Sequence, residues 1–189
     1  MINLLDLWLP ILLSAVFVFV VSSVIHMVLQ VHKADYKKLA GEADVLAAIR
    51  AQSVAPGEYM FPCPASMKEM CSPEMIAKFK EGPVGHLTIR PSGVPAMGKS
   101  LGQWFAYSIV IGLFVAYIAT LGLPAGAEGM SVFRLTSAAA VLGYALGYVP
   151  DSIWKGLSWN TTGKFVLDGV AYGLVTGAAF AWLWPAAAQ

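Results

Sequence analysis

Charged residues are scarce in this sequence: Lys, Arg, Asp and Glu make up 12% of the 189 residues, whereas hydrophobic residues make up 58%. A soluble domain carries about 25% charged residues, so the deficit points to lipid as the surrounding solvent. The formal net charge of +1 supplies no strongly basic face, and nucleic acid is therefore not an expected partner. The cysteines, Cys63 and Cys71, are too few for a disulfide scaffold, and their spacing matches no zinc signature.

The N-terminus lacks the basic residues that begin a secretory signal peptide. No Lys or Arg precedes the first apolar run, and Asp6 stands there instead. A signal peptide also needs a small-residue cleavage site after its apolar core. We therefore expect the first apolar segment to be retained as a membrane helix.

Four apolar runs are long enough to cross a bilayer, which takes about 20 residues. The predicted spans are residues 7–31, 104–123, 132–149 and 165–184, with Pro150 ending the third. The sequence thus predicts an all-α membrane protein with four transmembrane helices. A 69-residue polar connection separates the first helix from the second.

Three regions are expected along the chain: the first transmembrane helix at 1–31, the polar connection at 32–100 and a three-helix transmembrane bundle at 101–189. Helix caps, prolines and apolar spacing predict short elements in the connection. These are helices at 41–52, 66–69 and 72–81 and an extended segment at 86–90.

Small residues recur every four positions in the three later spans. On a helix this spacing forms a shallow groove that lets a neighbouring helix approach closely. The glycines expected to pack in this way are Gly143, Gly147, Gly169, Gly173 and Gly177. We predict that the three later spans form the tight bundle and that the first span, which lacks the pattern, packs more loosely.

Basic residues are concentrated on one side of the predicted spans. The long connection and the loop after the third span hold 11 of the 12. Positively charged loops stay in the cytoplasm, so we expect the connection inside and both termini outside. The ionisable residues expected at that membrane edge are Asp151, Lys155, Lys164 and Asp168.

Asp168 is an acid within an apolar run, and acids in membrane helices are functional hypotheses by default. It is expected in the first turn of its helix, where the helix dipole favours an anion. Lys164 precedes it by four residues, a spacing that favours an ion pair. The expectation is an interfacial salt-bridge cluster, and a proton or ion pathway is the alternative.

A sulfur-rich stretch in the connection is the candidate metal site. Its residues are Met60, Cys63, Met67, Met70, Cys71 and Met75. Soft sulfur ligands select Cu(I), but methionine is also a common filler on the apolar sides of short helices. We expect packing and no cofactor, with copper as the alternative.

The three histidines predict no metal or haem site. His26 and His32 are six residues apart, so on one continuous helix they face different sides and cannot chelate together. Haem ligation by His26 lacks a second axial ligand in the sequence.

A phosphate-loop pattern also occurs, from Gly93 to Ser100, and fits G-x-x-x-x-G-K-[ST]. The helix that follows it is a predicted membrane span. Because the connection is too short to build a parallel sheet around the loop, no nucleotide is expected.

The segment DGVAYGLVTGAAFAWLWP, from Asp168 to Pro185, follows Trp154 and Trp159. This C-terminal part resembles a pattern in small uncharacterised bacterial four-span integral membrane proteins. The resemblance implies a bacterial inner-membrane setting and transfers no activity.

These observations together predict a non-enzymatic integral membrane protein that acts as a binding, scaffold or accessory subunit. Its expected partners are the lipid bilayer and other membrane proteins, with neither nucleic acid nor nucleotide. Two alternatives stay open. One is a copper-handling protein that uses the sulfur-rich stretch, and the other is a small-solute or ion carrier that uses Asp168.

Overall fold

The computed structural model describes residues 2–187 and is mostly helical. The regular elements are α1 (Trp8–Ser23), α2 (Glu42–Ala51), β1 (Gly57–Phe61), α3 (Met67–Met70), α4 (Pro73–Glu81), β2 (Gly85–Ile89), α5 (Met97–Gly122), α6 (Gly129–Tyr144), α7 (Val149–Lys155) and α8 (Trp159–Trp182). Three irregular helical turns adjoin them: 3-10 turns at Leu4–Leu7 and Leu146–Tyr148, and a π-helical turn at Val24–Val28.

Four helical segments are long and apolar enough to cross a membrane, as the sequence predicts. They are Leu4–Val28, Met97–Gly122, Gly129–Lys155 and Trp159–Trp182, called spans 1 to 4 below. At 1.5 Å per residue they measure about 36–40 Å, against about 30 Å for the hydrocarbon core of a bilayer. The all-α class therefore fits, with one two-stranded sheet added in the polar connection.

The predicted end of the third span is wrong. Regular helix stops at Tyr144, before Pro150, and a 3-10 turn follows it. Pro150 then lies in the first turn of α7, where its missing N–H leaves no helical bond unmade. Since α7 extends to Lys155 and α8 begins at Trp159, the predicted loop at 151–164 shortens to residues 156–158.

The prediction that span 1 packs loosely is also wrong. Spans 1 and 3 each pack against both span 2 and span 4, so the four helices form a closed ring of neighbours. The buried residues of α1 are Pro10, Ile11, Ser14, Ala15, Val18 and Ser22. A Cβ built at Gly112 on span 2 would lie 3.3 Å from Ile11 Cγ2. The small-residue face of span 2 therefore contacts span 1.

The glycines of span 4 lie directly against span 3. A Cβ at Gly169 would be 2.6 Å from Ala145 Cα, and one at Gly173 would be 2.9 Å from the Val141 amide nitrogen. A Cβ at Gly177 would meet the Phe133 carbonyl at 3.0 Å. The two backbones therefore approach too closely for any side chain at these positions.

Span 3 does not use both of the glycines predicted to pack. A Cβ at Gly143 would collide with Ile111 of span 2 at 2.8 Å, whereas no atom of residues 2–187 would lie within 4 Å of one at Gly147. Gly147 falls in the 3-10 turn and is exposed. The 3-10 turn rotates Gly147 away from the packed interface that it would reach if α6 continued as a regular helix.

Residues 37–95 and 153–156 form a compact unit of their own, so residues 32–36 belong with the spans rather than with the connection.

Within the connection the sequence predictions hold closely. Helix α4 begins at a Ser72 cap, whose Oγ accepts from the Met75 N–H at 3.2 Å. The predicted extended segment is β2, and it pairs antiparallel with the unpredicted strand β1.

Candidate functional site

Span 1 ends in an irregular segment that folds back on itself. The π-helical turn at Val24–Val28 carries His26, and such turns often occur at functional sites. Gln30 then adopts φ +49°, a left-handed conformation that ends the helix. The chain reverses, and the His32 ring stacks on the His26 ring with centroids 4.8 Å apart. The prediction that these histidines face different sides of a helix is therefore wrong, because the helix does not continue to residue 32.

The two imidazoles belong to a continuous stack of four rings. His32 also stacks on Phe165 of span 4, with centroids 4.4 Å apart and planes 20° from parallel. Phe165 stacks in turn on Tyr148 of span 3 at 4.7 Å. The His32 ring is thus held between His26 of span 1 and Phe165 of span 4.

Asp168 is buried beside the histidines, with 6% of its surface exposed. Its Oδ2 lies 2.7 Å from His32 Nε2 and 3.6 Å from His26 Nε2. The prediction that Asp168 lies in the first turn of its helix is wrong. Because α8 begins at Trp159, Asp168 lies in the third turn. The helix dipole acts within the first turn, so the histidines and not the dipole are its partners.

Lys164 pairs with Asp35 and not with Asp168, contrary to the predicted spacing. Its Nζ donates to Asp35 Oδ1 at 2.5 Å and to the Val31 carbonyl at 3.1 Å. His32 Nδ1 donates to Asp35 Oδ2 at 2.7 Å, and 3% of the Asp35 side chain is exposed. The Lys164 hydrogen bond lowers the pKa of Asp35 below its usual range, with His32 adding to the effect and burial opposing it.

Three side chains here have the arrangement of metal ligands. His26, His32 and Asp168 each offer one donor atom, and these atoms lie within 4.8 Å of one another. The side chain of His26 is 41% exposed, whereas those of His32 and Asp168 are about nine-tenths buried. Two imidazole nitrogens and a carboxylate form a donor set for divalent transition metals.

A half-open cavity of about 710 Å³ lies at the same end of the bundle. All four spans contribute to its lining, which includes His26 and Asp168. Its aromatic lining residues are Trp104, Tyr107, Tyr144, Tyr148, Phe165 and Tyr172. Ligand pockets typically measure about 300–1,000 Å³ and combine apolar walls with a few convergent polar groups, a description that this cavity meets.

Hydrogen bonds between spans hold the aromatic wall in place. Trp104 Nε1 donates to Ser22 Oγ of span 1 at 3.0 Å, and the Tyr107 hydroxyl donates to the Gly143 carbonyl of span 3 at 2.9 Å. The Tyr172 hydroxyl lies 3.4 Å from His26 Nε2. The wall is thus anchored by its neighbours before any ligand enters.

The other residues singled out from the sequence are not among the three grouped donors, His26, His32 and Asp168. Asp151 lines the cavity, and Lys155 ends α7. The six sulfur-bearing residues are spread over β1, α3, α4 and the segments between them. Met75 is 4% exposed, whereas Met67 is 74% exposed. Within residues 2–187, neither cysteine belongs to a group of three or more His, Cys, Asp or Glu donors.

Sequence reasoning missed Asp35 and the aromatic wall. Trp104 and Tyr107 are three residues apart on one helix, so they share a face, and this spacing was an available signal. Their convergence with Tyr144 and Tyr172 depends on which helices are neighbours. A histidine followed three residues later by an acid was the available signal for the His32–Asp35 hydrogen bond, but it does not predict the reversal at Gln30.

Comparisons with protein-family models, with curated proteins and with solved structures found no match to this chain.

Proposed function

We propose that this protein is a non-enzymatic integral membrane protein that binds a small amphipathic molecule in the cavity at the His26 end of its bundle. The observation that carries the proposal is the composition of the cavity lining. Aromatic rings from several spans surround the space, while His26, Asp168 and the Tyr172 hydroxyl supply polar groups close to one another.

The lining defines the chemistry of the ligand. Aromatic faces and edges favour a flat or elongated apolar body, which gains burial and ring contacts. At the polar groups, the Asp168 carboxylate accepts hydrogen bonds and the Tyr172 hydroxyl can donate one. The matching ligand therefore has an apolar body and a polar end that carries both a donor and an acceptor.

The anchoring of the wall supports binding without large rearrangement. Trp104 and Tyr107 are already held by hydrogen bonds to spans 1 and 3. A pre-formed site avoids much of the entropy cost of ordering side chains when the ligand arrives. The favourable contacts then contribute more fully to affinity.

The proposed setting is a bacterial inner membrane, with the long connection in the cytoplasm and both termini outside. The distribution of basic residues supports this orientation, and the resemblance of the C-terminal segment supports the membrane. In that orientation the cavity lies at the cytoplasmic end of the bundle, because span 1 ends and span 2 begins there.

A small-solute or ion carrier is the second candidate, and the burial of Asp168 on the cavity lining favours it. Intramembrane acids paired with histidines occur in proton relays. Asp168→Asn should then abolish transport by vesicles containing the protein, while the unfolding temperature of the variant stays that of the wild type.

Copper handling by the sulfur-rich stretch is a weaker proposal, since Met67 is exposed while Met75 is buried. Anaerobic Cu(I) loading tests it.

The test of the leading proposal is mass spectrometry of small molecules recovered with the full chain from native membrane discs. Ser23 lines the cavity, and Ser23→Phe should fill part of it and remove the recovered molecule. Ser131→Phe is the matched control, because Ser131 is exposed at the start of span 3, away from the cavity.

The expected result is a molecule recovered in stoichiometric amount with the wild type and the Ser131→Phe variant and lost from Ser23→Phe. Recovery of bulk lipid alone from all three proteins would overturn the proposal. The same samples report co-purified proteins, so they also test the accessory-subunit role.

A further inference from the structure

We propose that His26, His32 and Asp168 form a binding site for a divalent first-row transition-metal ion. The proposal goes beyond the binding of an organic molecule and does not depend on it. It rests on the positions of three donor atoms, on the groups that orient them and on the burial of two of the three side chains.

Two of the three donor pairs are close to the separation that a metal requires, and all three donor atoms lie within 4.8 Å of one another. Zinc bonds to nitrogen and oxygen of about 2.0–2.1 Å place tetrahedral donors about 3.3 Å apart. His26 Nε2 and Asp168 Oδ2 are 3.6 Å apart, close to this value. His32 Nε2 and Asp168 Oδ2 are 2.7 Å apart, so they need to separate by about 0.6 Å. A small rotation of one side chain achieves that.

The groups around His32 orient it as a metal ligand. Histidines that bind metals usually donate their second ring N–H to a carboxylate, which fixes the tautomer. His32 Nδ1 donates to Asp35 at 2.7 Å, leaving Nε2 directed at Asp168. Lys164 holds Asp35 from its other oxygen, and Phe165 fixes the ring plane.

A hydrogen-bond network without metal is the competing explanation. If His32 carries two protons, it donates to both Asp35 and Asp168 and satisfies both acids. This accounts for His32, whereas His26 Nε2 lies 3.6 Å from the same Asp168 oxygen, beyond hydrogen-bond distance, with the Tyr172 hydroxyl at 3.4 Å. A shared cation explains all three orientations together.

The donor set selects the class of metal. Two imidazoles and a carboxylate suit Zn²⁺, Co²⁺ or Fe²⁺, whereas Cu(I) prefers sulfur and Ca²⁺ and Mg²⁺ prefer oxygen alone. Three protein ligands leave positions on the metal for water or another molecule. Because His26 and Asp168 line the cavity, those positions would face it.

The experiment is titration of the chelator-treated full chain, in detergent, with Co²⁺. Visible absorption bands report Co²⁺ coordination, and Zn²⁺ should displace the cobalt. Asp35→Asn should weaken binding about 10–100-fold, the usual effect of losing an orienting partner, and His26→Gln or Asp168→Asn should weaken it by more than about 100-fold. His86→Gln is the matched control, because His86 lies on the exposed side of β2, outside the cluster.

His26→Gln keeps the test decisive, since the 41% exposed side chain of His26 can be replaced with little loss of buried contacts. Helical circular dichroism and thermal unfolding in chelator should match the wild type. Added Zn²⁺ should raise the unfolding temperature of the wild type and of His86→Gln, but not of His26→Gln.

Absence of cobalt bands in the wild type would overturn the metal site. Wild-type affinity in both His26→Gln and Asp168→Asn would do the same and would leave a hydrogen-bond network. Recovery of an organic ligand is measured separately in chelator, so failure of either proposal can be distinguished from failure of the other.

Discussion

Single residues near the cavity take their roles from partners on other parts of the chain. Lys164 and Asp168 have the spacing of a helical ion pair, yet each bonds to a residue that precedes residue 36. Asp35 is closer to Lys164 in space because the turn after span 1 folds back onto span 4. A charge pattern within one helix therefore identified the ionisable residues but not their pairing.

Ser22 provides a test at the residue scale, because it differs from its neighbour Ser23 in one contact. Both hydroxyls donate to the Phe19 carbonyl, but Ser22 also accepts from Trp104 Nε1. Ser22→Ala should lower the free energy of unfolding by about 0.6–2 kcal/mol, the range for hydrogen bonds between membrane helices. Reversible unfolding in mixed micelles measures it.

Ser23→Ala is the control and should cost less, since it removes only a bond within one helix. In a Trp104→Phe background, Ser22→Ala should lower the free energy of unfolding by less, because the Trp104 Nε1 donor is already absent. Equal losses for the two serine variants in the wild-type background would mean that the bond between spans contributes nothing.

At the scale of elements, close packing is confined to particular pairs of helices. Span 4 presents its glycines to span 3, while span 2 presents Gly112 to span 1. Similar small-residue patterns thus serve different neighbours. The irregular turns matter equally: the π-helical turn carries His26, and the 3-10 turn moves Gly147 out of the packed interface.

Gly169→Ala should destabilise the contact between spans 3 and 4. The added Cβ would lie 2.6 Å from Ala145 Cα, and a backbone atom cannot rotate away. Overpacking of this kind costs about 1–3 kcal/mol. Unfolding in mixed micelles should show a loss of this size.

Gly163→Ala is the matched control on the same helix, where no atom of the described part of the chain lies within 4 Å of the new Cβ. It should be neutral or should stabilise by up to about 1 kcal/mol, because alanine favours helix. If Gly169→Ala were as stable as Gly163→Ala, the close approach of the two backbones would be wrong.

At the scale of the whole molecule, the four spans close into a ring of neighbours. Span 1 completes the ring between spans 2 and 4, and the turn that follows it supplies His32 and Asp35 to the cluster. The cavity also takes residues from all four spans. The candidate site is therefore a property of the assembled bundle and not of any one helix.

The proposed orientation predicts the labelling of Cys63, which is exposed. In a Cys71→Ala background, a membrane-impermeant maleimide should leave Cys63 unlabelled in intact cells and label it after permeabilisation. Glu128→Cys in a cysteine-free background is the control and should label in intact cells, because Glu128 lies in the exposed loop between spans 2 and 3. The reverse pattern would invert the orientation.

The sequence alone determined the elements that depend on contiguous residues. The four long apolar helices follow from local hydropathy, and the start of α4 follows from a serine cap with a proline after it. The small-residue faces of spans 2 and 4 were also visible. Each of these properties is set within a few turns of chain, so no knowledge of the fold was needed.

Only the tertiary structure decided which of these elements meet. The reversal at Gln30 has no sequence signal, since its left-handed conformation is unusual for that residue, and without the reversal His26 and His32 stay apart. The order of spans around the ring likewise decides which aromatic residues share the cavity. Proximity between distant residues depends on chain reversals and helix neighbours, and local sequence encodes neither.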